Sequence, residues 1–229
     1  MSAERPPDFE QLKEKLLLMA SQAESAVNRA VKALVRRDDD LALRTRDDDQ
    51  VIDRLEIEID DGAVQLLAAR PSMDELRRIV MAMKIAHNLE RVGDEATTIS
   101  RRCLELSREP QLRQTAMIPR LAAMVLQMLK DALDAFVHRD CSKARSVVPR
   151  DAEVDQIYRD LRRDLAASMH ERPSSVSRCL NLMVVAKSLE RIADHAANIA
   201  EEVVYMLEGL DIRHRHAPPL AEAPAAMHS

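Results

Sequence analysis

The sequence predicts an all-α protein built as a tandem repeat of two antiparallel three-helix bundles. Three observations support this fold class. Glycine and aromatic residues are scarce, with 3 Gly, 2 Tyr, 2 Phe and no Trp in 229 residues, which favours helices over sheets. Apolar residues recur at helical spacing in long stretches that end at prolines. A block of sequence from the first half returns about 100 residues later in the second half.

The overall composition restricts the kind of partner the chain can bind. Hydrophobic residues make up 46% of the sequence, enough to fill the core of one or two domains. The formal net charge is -5, whereas nonspecific electrostatic binding of DNA or RNA requires a basic face. We therefore expect protein partners and no nucleic acid.

The cysteines and the hydropathy pattern indicate a cytoplasmic protein. Cys103, Cys141 and Cys179 are odd in number and widely spaced, so they predict neither a disulfide framework nor a zinc knuckle. No apolar stretch approaches the roughly 20 residues that span a bilayer. We expect a chain that is not exported and that reaches a membrane only through its partners.

Capping residues and prolines set the expected helices of the first half. Asp8 is the expected N-cap of a helix over 8–37. After an acidic turn, a second helix should continue to Pro71, because proline ends the helical pattern. A capping box that includes Glu75 then begins a third helix over about 72–107. Each of the three helices is expected to contain roughly 30 residues and to be about 45 Å long.

The internal repeat is carried by an eight-residue block. The block over 89–96 matches the block over 189–196 at an offset of 100 residues. Earlier in each half, residues 49–53 align with 151–155 at an offset of 102 residues. The small difference between the offsets requires only a two-residue change in one connection.

The repeat predicts two structural units and a tail. The first three-helix repeat should cover 8–109 and the second should cover 113–209. Gly209 is the expected stop of the last helix, since glycine adopts the left-handed conformation that ends helices. The segment 210–229 is rich in Pro, Ala and His and is expected to be disordered.

Acidic residues occur in pairs four residues apart at equivalent places of both repeats. The pairs are Asp49 with Asp53, Glu90 with Asp94, Asp151 with Asp155, and Glu190 with Asp194. About seven such pairs arise by chance among 39 acidic residues, so a solvated acidic face is the alternative reading. The position of these pairs carries more information. Each lies roughly 20 residues before or after a predicted hairpin turn, so antiparallel helices should place them level.

Four level carboxylates in each bundle favour a bound cation. Like charges at short distance raise one another's pKa and cost stability unless a cation or protonation compensates them. An all-oxygen site suits Mg, Mn or Fe(III) better than copper, and zinc usually takes more imidazole or thiolate ligands. The sequence leaves the identity of the metal open.

Two histidines lie close to these acids. His195 follows Asp194, and its counterpart in the first repeat is Glu95, so either a ligand role or a plain exposed helical histidine fits the pattern. His87, one turn before Glu90, is expected to be a surface residue. His214, His216 and His228 belong to the predicted tail.

The repeated block resembles the signature of the PhoU family of phosphate transport regulators. It reads Leu-Glu-Arg, then Val or Ile, then Gly or Ala, then Asp, and in the second half it continues through residues 195–201. The similarity covers about 8–209. It implies two three-helix bundles and multinuclear clusters of iron, zinc, manganese or magnesium. The implied ligands are Asp49, Asp53, Glu90, Asp94, Asp151, Asp155, Glu190 and Asp194.

The resemblance also implies partners and a regulatory role. Members of this family are associated with repression of phosphate-starvation genes, through the ATPase subunit of the phosphate ABC transporter and a sensor histidine kinase. The resemblance further implies a homodimer and no catalytic activity. Glu95, Thr97 and Thr98 depart from the family pattern, and Tyr158 stands where the first repeat has Glu56. We therefore expect the two clusters to differ, with the first repeat further from the pattern.

The motifs of two other functional classes do not occur in the sequence. Di-iron oxidases need Glu three residues before His, and none of the four histidines within the repeats follows that rule. With only three glycines, the sequence contains no phosphate-binding loop. An accessory protein of another phosphate carrier, or a metal-binding bundle of structural role, remains an alternative.

Overall fold

The computed structural model describes residues 8–212, and every regular element in that range is helical. The all-α prediction is confirmed. The α-helices are α1 Phe9–Arg36, α2 Asp39–Asp47, α3 Asp49–Ala68, α4 Met73–Leu106, α5 Ile118–His138, α6 Cys141–Val147, α7 Asp151–Glu171 and α8 Val176–Glu208. Short 3₁₀ turns cover Arg113–Met117, Val148–Arg150 and Pro173–Ser175. Within 8–212 no helix combines the length and apolar character that crossing a bilayer requires.

The expected starts and stops of the helices are present. The Asp8 carboxylate accepts a hydrogen bond of 2.9 Å from the Gln11 backbone N–H at the start of α1. Ser72 and Glu75 form a reciprocal capping box at the start of α4. Gly209 ends α8 in the left-handed conformation, with φ of 68°.

The second predicted helix is divided in two, so the expected length of about 30 residues was wrong. Asp48 separates α2 from α3, which contains 20 residues. The Asp48 N–H still bonds to the Arg44 carbonyl, while the Asp48 carbonyl accepts from the Val51 N–H. The helix is therefore interrupted in an acidic run without proline or glycine. The second repeat is interrupted at the corresponding place, by its turn over Val148–Arg150.

The two repeats share the same corner between their first and second helices. Arg37 and Arg139 both adopt the left-handed conformation, with φ of 57° and 54°. The aspartates that follow them, Asp38 and Asp140, both cap the next helix through their carboxylates. These pairs keep the offset of 102 residues, so the sequence repeat is also a repeat of local structure.

Helices α4 and α8 join the two repeats at the centre of the molecule. They run antiparallel, because Lys84 of α4 pairs with Glu202 of α8 while Arg102 contacts Asn181. Helix α3 packs on α4 and α7 packs on α8, while α1 covers α3 and α4 and α5 covers α8. Apolar residues of all these helices form one buried core.

The predicted tail lies mostly outside the described residues, from 213 onward. Of its first residues, Ile212 is 9% exposed and packs against the core. The bounds 8–109 and 113–209 of the two units remain predictions.

Candidate metal sites

The α3–α4 hairpin brings the four predicted carboxylates of the first repeat into one group. Asp49 is close enough to Asp53 and Asp94 for both to act on its pKa, and Glu90 is close to Asp94. Glu56 lies beside His87 and Asp49 lies beside Gly93, which sets the antiparallel register of α3 and α4. Continued along both helices, this register puts Asp49 across from Asp94 and Asp53 across from Glu90, as the distances to the hairpin turn predict.

Glu90 is the carboxyl group most affected by this crowding. Burial, and then the neighbouring Asp94, raises the pKa of Glu90 to about 7, and Arg91 acts in the opposite direction. The Glu90 Oε2 atom is buried and accepts no hydrogen bond. Arg91 Nε lies 3.1 Å from it, so the two form an ion pair without hydrogen-bond geometry. A cation at this place would supply the missing partner.

Gly93 allows α3 to approach α4 closely beside this group. A Cβ atom at Gly93 would lie 2.8 Å from Asp49 Oδ1 and 2.9 Å from Ile52 Cδ1. The absence of a side chain therefore leaves the Asp49 carboxylate directly against the α4 backbone. Burial raises the pKa of Asp49, with Thr97 lowering it and Asp53 and Asp94 raising it.

The α7–α8 hairpin gathers the corresponding group in the second repeat. Burial raises the pKa of Asp194 to about 6, and Glu190, Asp151 and Asp155 add to the shift, while Lys187 opposes it. Burial also raises the pKa of Asp151, and its Oδ1 atom is buried without a hydrogen bond. The other three predicted carboxylates of this repeat thus all act on the pKa of Asp194.

A lysine lies inside the second group. The Lys187 ammonium pairs with Glu190, one turn along α8. The same ammonium lies 5.6 Å from the centre of the Tyr158 ring on α7. This group therefore contains a cation of its own, which partly compensates its negative charge.

A histidine joins the first group, which the sequence had not indicated. Glu56, His87 and Glu90 each offer one ligand atom, and these atoms lie within 4.8 Å of one another. His87 is exposed, as expected of a surface residue, but its Nδ1 lies 3.2 Å from Glu56 Oε1. The sequence does contain a signal for this pair, since Glu56 precedes Pro71 by 15 residues and His87 follows it by 16.

His195 contacts the other repeat. Its Nδ1 lies 2.9 Å from Asn88 Oδ1, across the boundary between α8 and α4. Burial lowers the pKa of His195, which favours the neutral ring at pH 7. His195 is thus half-buried at a helix interface, and the reading as an exposed helical histidine is wrong.

The donor set fits a hard cation in both repeats. Carboxylate oxygens converge from two helices, burial raises the pKa of several of them, and some oxygens are buried without a hydrogen-bond partner. A groove of about 740 Å³ between α1 and α5 contains none of these residues. It is lined by Ser25, Arg29, Lys32 and apolar residues of α5.

The fold and the site define a class of protein: a helical tandem repeat with a carboxylate group on one hairpin of each repeat. Within that class, the chain belongs to the PhoU family. The model of the PhoU domain matches twice, over residues 16–103 and 118–203. The resemblance found in the repeated block is confirmed.

Relatives with known names and structures agree with this assignment. The chain is 40% identical over 209 residues to the phosphate-specific transport system accessory protein PhoU homolog of Pseudomonas putida, covering 90% of this chain and 82% of that protein. The crystal structure of PhoU from Pseudomonas aeruginosa superposes with a TM-score of 0.86 at 39% identity, covering 88% of this chain and 98% of that one. The phosphate transport system regulatory protein PhoU from Streptococcus pneumoniae gives 0.82 at 27% identity, covering 89% and 96%.

Proposed function

We propose that this chain is an accessory regulator of phosphate-specific transport that acts by binding other proteins. The observation that carries the proposal is its 40% identity, over nine tenths of its length, to proteins named as accessory to that transport system. The two matched PhoU domains and the shared fold support the same role.

The proposed partners are the ATPase subunit of the phosphate ABC transporter and the sensor histidine kinase of the phosphate two-component system. By binding both in the cytoplasm, as a homodimer, the chain would lower phosphate uptake and repress phosphate-starvation genes. Exposed apolar residues support a protein contact near the first carboxylate group. Ile57 and Val64 lie two turns apart on α3 and are 62% and 60% exposed.

Metal binding is the proposed condition for these contacts. The ligands in the first repeat would be Asp49, Asp53, Glu90 and Asp94, and those in the second would be Asp151, Asp155, Glu190 and Asp194. A multivalent cation supplies the positive charge that draws these crowded carboxylates together. The carboxylates then hold α3 against α4 and α7 against α8, which fixes the surface presented to a partner.

The test combines genetics with recovery of partners. Deleting the gene in the native host should raise expression of phosphate-starvation genes in phosphate-rich medium. The tagged full-length chain should recover the transporter ATPase and the kinase from membranes, and chelator should reduce the recovery. If expression is unchanged and neither protein is recovered, the proposal is rejected. An accessory role for another phosphate carrier, or a structural role, would then be favoured.

A further inference from the structure

Each hairpin carries three level pairs of side chains at the carboxylate group. In the first repeat the pairs are Asp49 with Asp94, Asp53 with Glu90, and Glu56 with His87. In the second repeat they are Asp151 with Asp194, Asp155 with Glu190, and Tyr158 with Lys187. The first two pairs have the same chemistry in both repeats. The third pair differs completely, because Glu and His are replaced by Tyr and Lys.

The third pair of the first repeat has the composition of a transition-metal site. Glu56, His87 and Glu90 offer ligand atoms within 4.8 Å of one another, from two helices. Bonds of about 2.0–2.2 Å to one ion place its ligands roughly 3 to 4 Å apart, so small side-chain rotations would close the triad. The buried Glu90 Oε2 accepts no hydrogen bond, and its cationic neighbour there is the half-exposed Arg91, which a metal ion would displace.

The surroundings of the triad allow an ion to enter. Glu56 and His87 line an open pocket of about 420 Å³, together with Asp60 of α3. Lys84 also lines this pocket, but its ammonium lies 3.2 Å from Glu202 of α8. Lys84 is therefore engaged by another carboxylate, and the second nearby cation, Arg91, divides its contacts between Glu90 and Asp94.

The second repeat has cations at the same places. Lys187 is the counterpart of His87, and its ammonium pairs with Glu190, the counterpart of Glu90. Arg162 is the counterpart of Asp60, and its guanidinium lies 6.0 Å from the Tyr158 ring, which Lys187 also approaches. A covalently attached ammonium thus occupies the second repeat at the position where the first repeat gathers ligands for a cation.

We propose that Glu56, His87 and Glu90 bind one divalent transition-metal ion of the zinc class, and that the Lys187 ammonium replaces this ion in the second repeat. The inference rests on the proposed metal binding, since Glu90 also belongs to the four-carboxylate group. The imidazole ligand distinguishes the two repeats, because nitrogen favours Zn²⁺ or Co²⁺ over Mg²⁺. The first repeat is then the richer metal site, although it departs further from the family pattern.

The test measures metal stoichiometry and ligand type in the full-length protein. To remove background binding, His214, His216 and His228 are replaced by Ala in every variant. Metal-free protein is titrated with Zn²⁺ or Co²⁺ in excess Mg²⁺, which occupies the sites formed by oxygen alone. His87→Lys and Glu56→Gln should each weaken Zn²⁺ binding at one position by at least about tenfold, because each removes a direct ligand. Both should also change the visible Co²⁺ spectrum.

A gain of function and a matched control complete the design. The double variant Tyr158→Glu/Lys187→His should add one Zn²⁺ position to the second repeat. His138→Ala, at an exposed histidine at the end of α5, should leave stoichiometry and spectrum unchanged. Circular dichroism confirms that each variant is helical, and His87 is exposed, so α4 can accept lysine there.

The outcomes separate this inference from the proposed function. Unchanged Zn²⁺ stoichiometry and Co²⁺ spectrum in both His87→Lys and Glu56→Gln, in protein that still binds metal, would overturn the triad and leave the four-carboxylate sites. Absence of any metal binding by the parent protein would reject the metal dependence in the proposed function, and the triad with it.

Discussion

Arg191 Nη1 on α8 lies 3.1 Å from Glu95 Oε1 on α4, and this ion pair links the two repeats between their carboxylate groups. Glu95 follows Asp94 directly, and Arg191 follows Glu190 directly. The Glu95 side chain is only 13% exposed, and its second oxygen is buried without a hydrogen bond. Arg191 therefore compensates a mostly buried charge at the boundary of the repeats.

Replacing this arginine should destabilise the protein. Arg191→Ala leaves Glu95 without its cation in a mostly buried place, and we expect a loss of about 1–2 kcal/mol of unfolding free energy. Urea unfolding measures the change. Arg163→Ala is the matched control, since Arg163 is 76% exposed in its pair with Asp160 and should change stability by less than about 0.5 kcal/mol. A loss of the same size in a Glu95→Gln background would contradict the explanation, because the charge that needs compensation is then absent.

Two glycines of the first hairpin should respond in opposite directions to alanine. Gly62→Ala adds a Cβ atom 3.4 Å from Leu12 Cδ1, an ordinary contact, and should stabilise α3 by roughly 0.5–1 kcal/mol. Gly93→Ala forces Asp49 and Ile52 to move, so we expect about 1–3 kcal/mol of strain to outweigh the gain in helix propensity. Thermal unfolding compares the two variants. A stabilised Gly93→Ala protein would contradict the close packing described for α3 and α4.

The metal-free protein should lose stability as pH rises through the raised pKa values. Folding raises the pKa of Glu90 from 4.5 to about 7, and it raises the pKa of Asp194 from 3.8 to about 6. Between these limits the folded state binds more protons than the unfolded state, so unfolding free energy falls as pH rises from about 4 to 7. His195 acts in the opposite direction below pH 6.5, because its pKa is lowered.

The acid contribution can be isolated by difference. Urea unfolding of chelator-treated parent and of the double variant Glu90→Gln/Asp194→Asn is compared at pH 5 and pH 8. The variant should gain stability relative to the parent as pH rises, because it lacks both of the disfavoured charges while His195 is common to both proteins. If the difference in unfolding free energy between variant and parent is the same at both pH values, this prediction is wrong.

Much of the fold could be predicted from the sequence, because its signals are local. Capping by Asp8 and Ser72 and the stop at Gly209 each depend on a few neighbouring residues. The two offsets, 100 and 102, located matching helices in both halves. The level placement of the acids followed from the distance of each pair to its hairpin turn.

What could not be predicted depends on contacts between helices. The interruption between α2 and α3 at Asp48 contains no proline or glycine that would predict it. The pairing of Glu56 with His87, in contrast, follows from the same distances to the hairpin turn that place the acids level. The contact between His195 and Asn88 required the antiparallel packing of α4 against α8, which no spacing within one helix indicates.

Removing the central acids of the second repeat should abolish its metal while the metal-free bundle stays folded. Glu190→Gln/Asp194→Asn removes two of four crowded carboxylates, which relieves repulsion. The released Lys187 ammonium is 38% exposed and can extend to water, so it should not remain buried without a partner. Elemental analysis after extensive dialysis should show less metal than in the parent, and circular dichroism in chelator should show full helicity.

The matched control is Asp160→Asn/Asp164→Asn, an acidic pair on α7 with the same spacing. No acid of α8 lies level with that pair, so metal content should be unchanged. If the control loses as much metal as the Glu190 and Asp194 variant, general surface charge explains the binding. If the variant loses its helicity without metal while the parent keeps it, Glu190 and Asp194 are structural residues and the assignment of the second site is wrong.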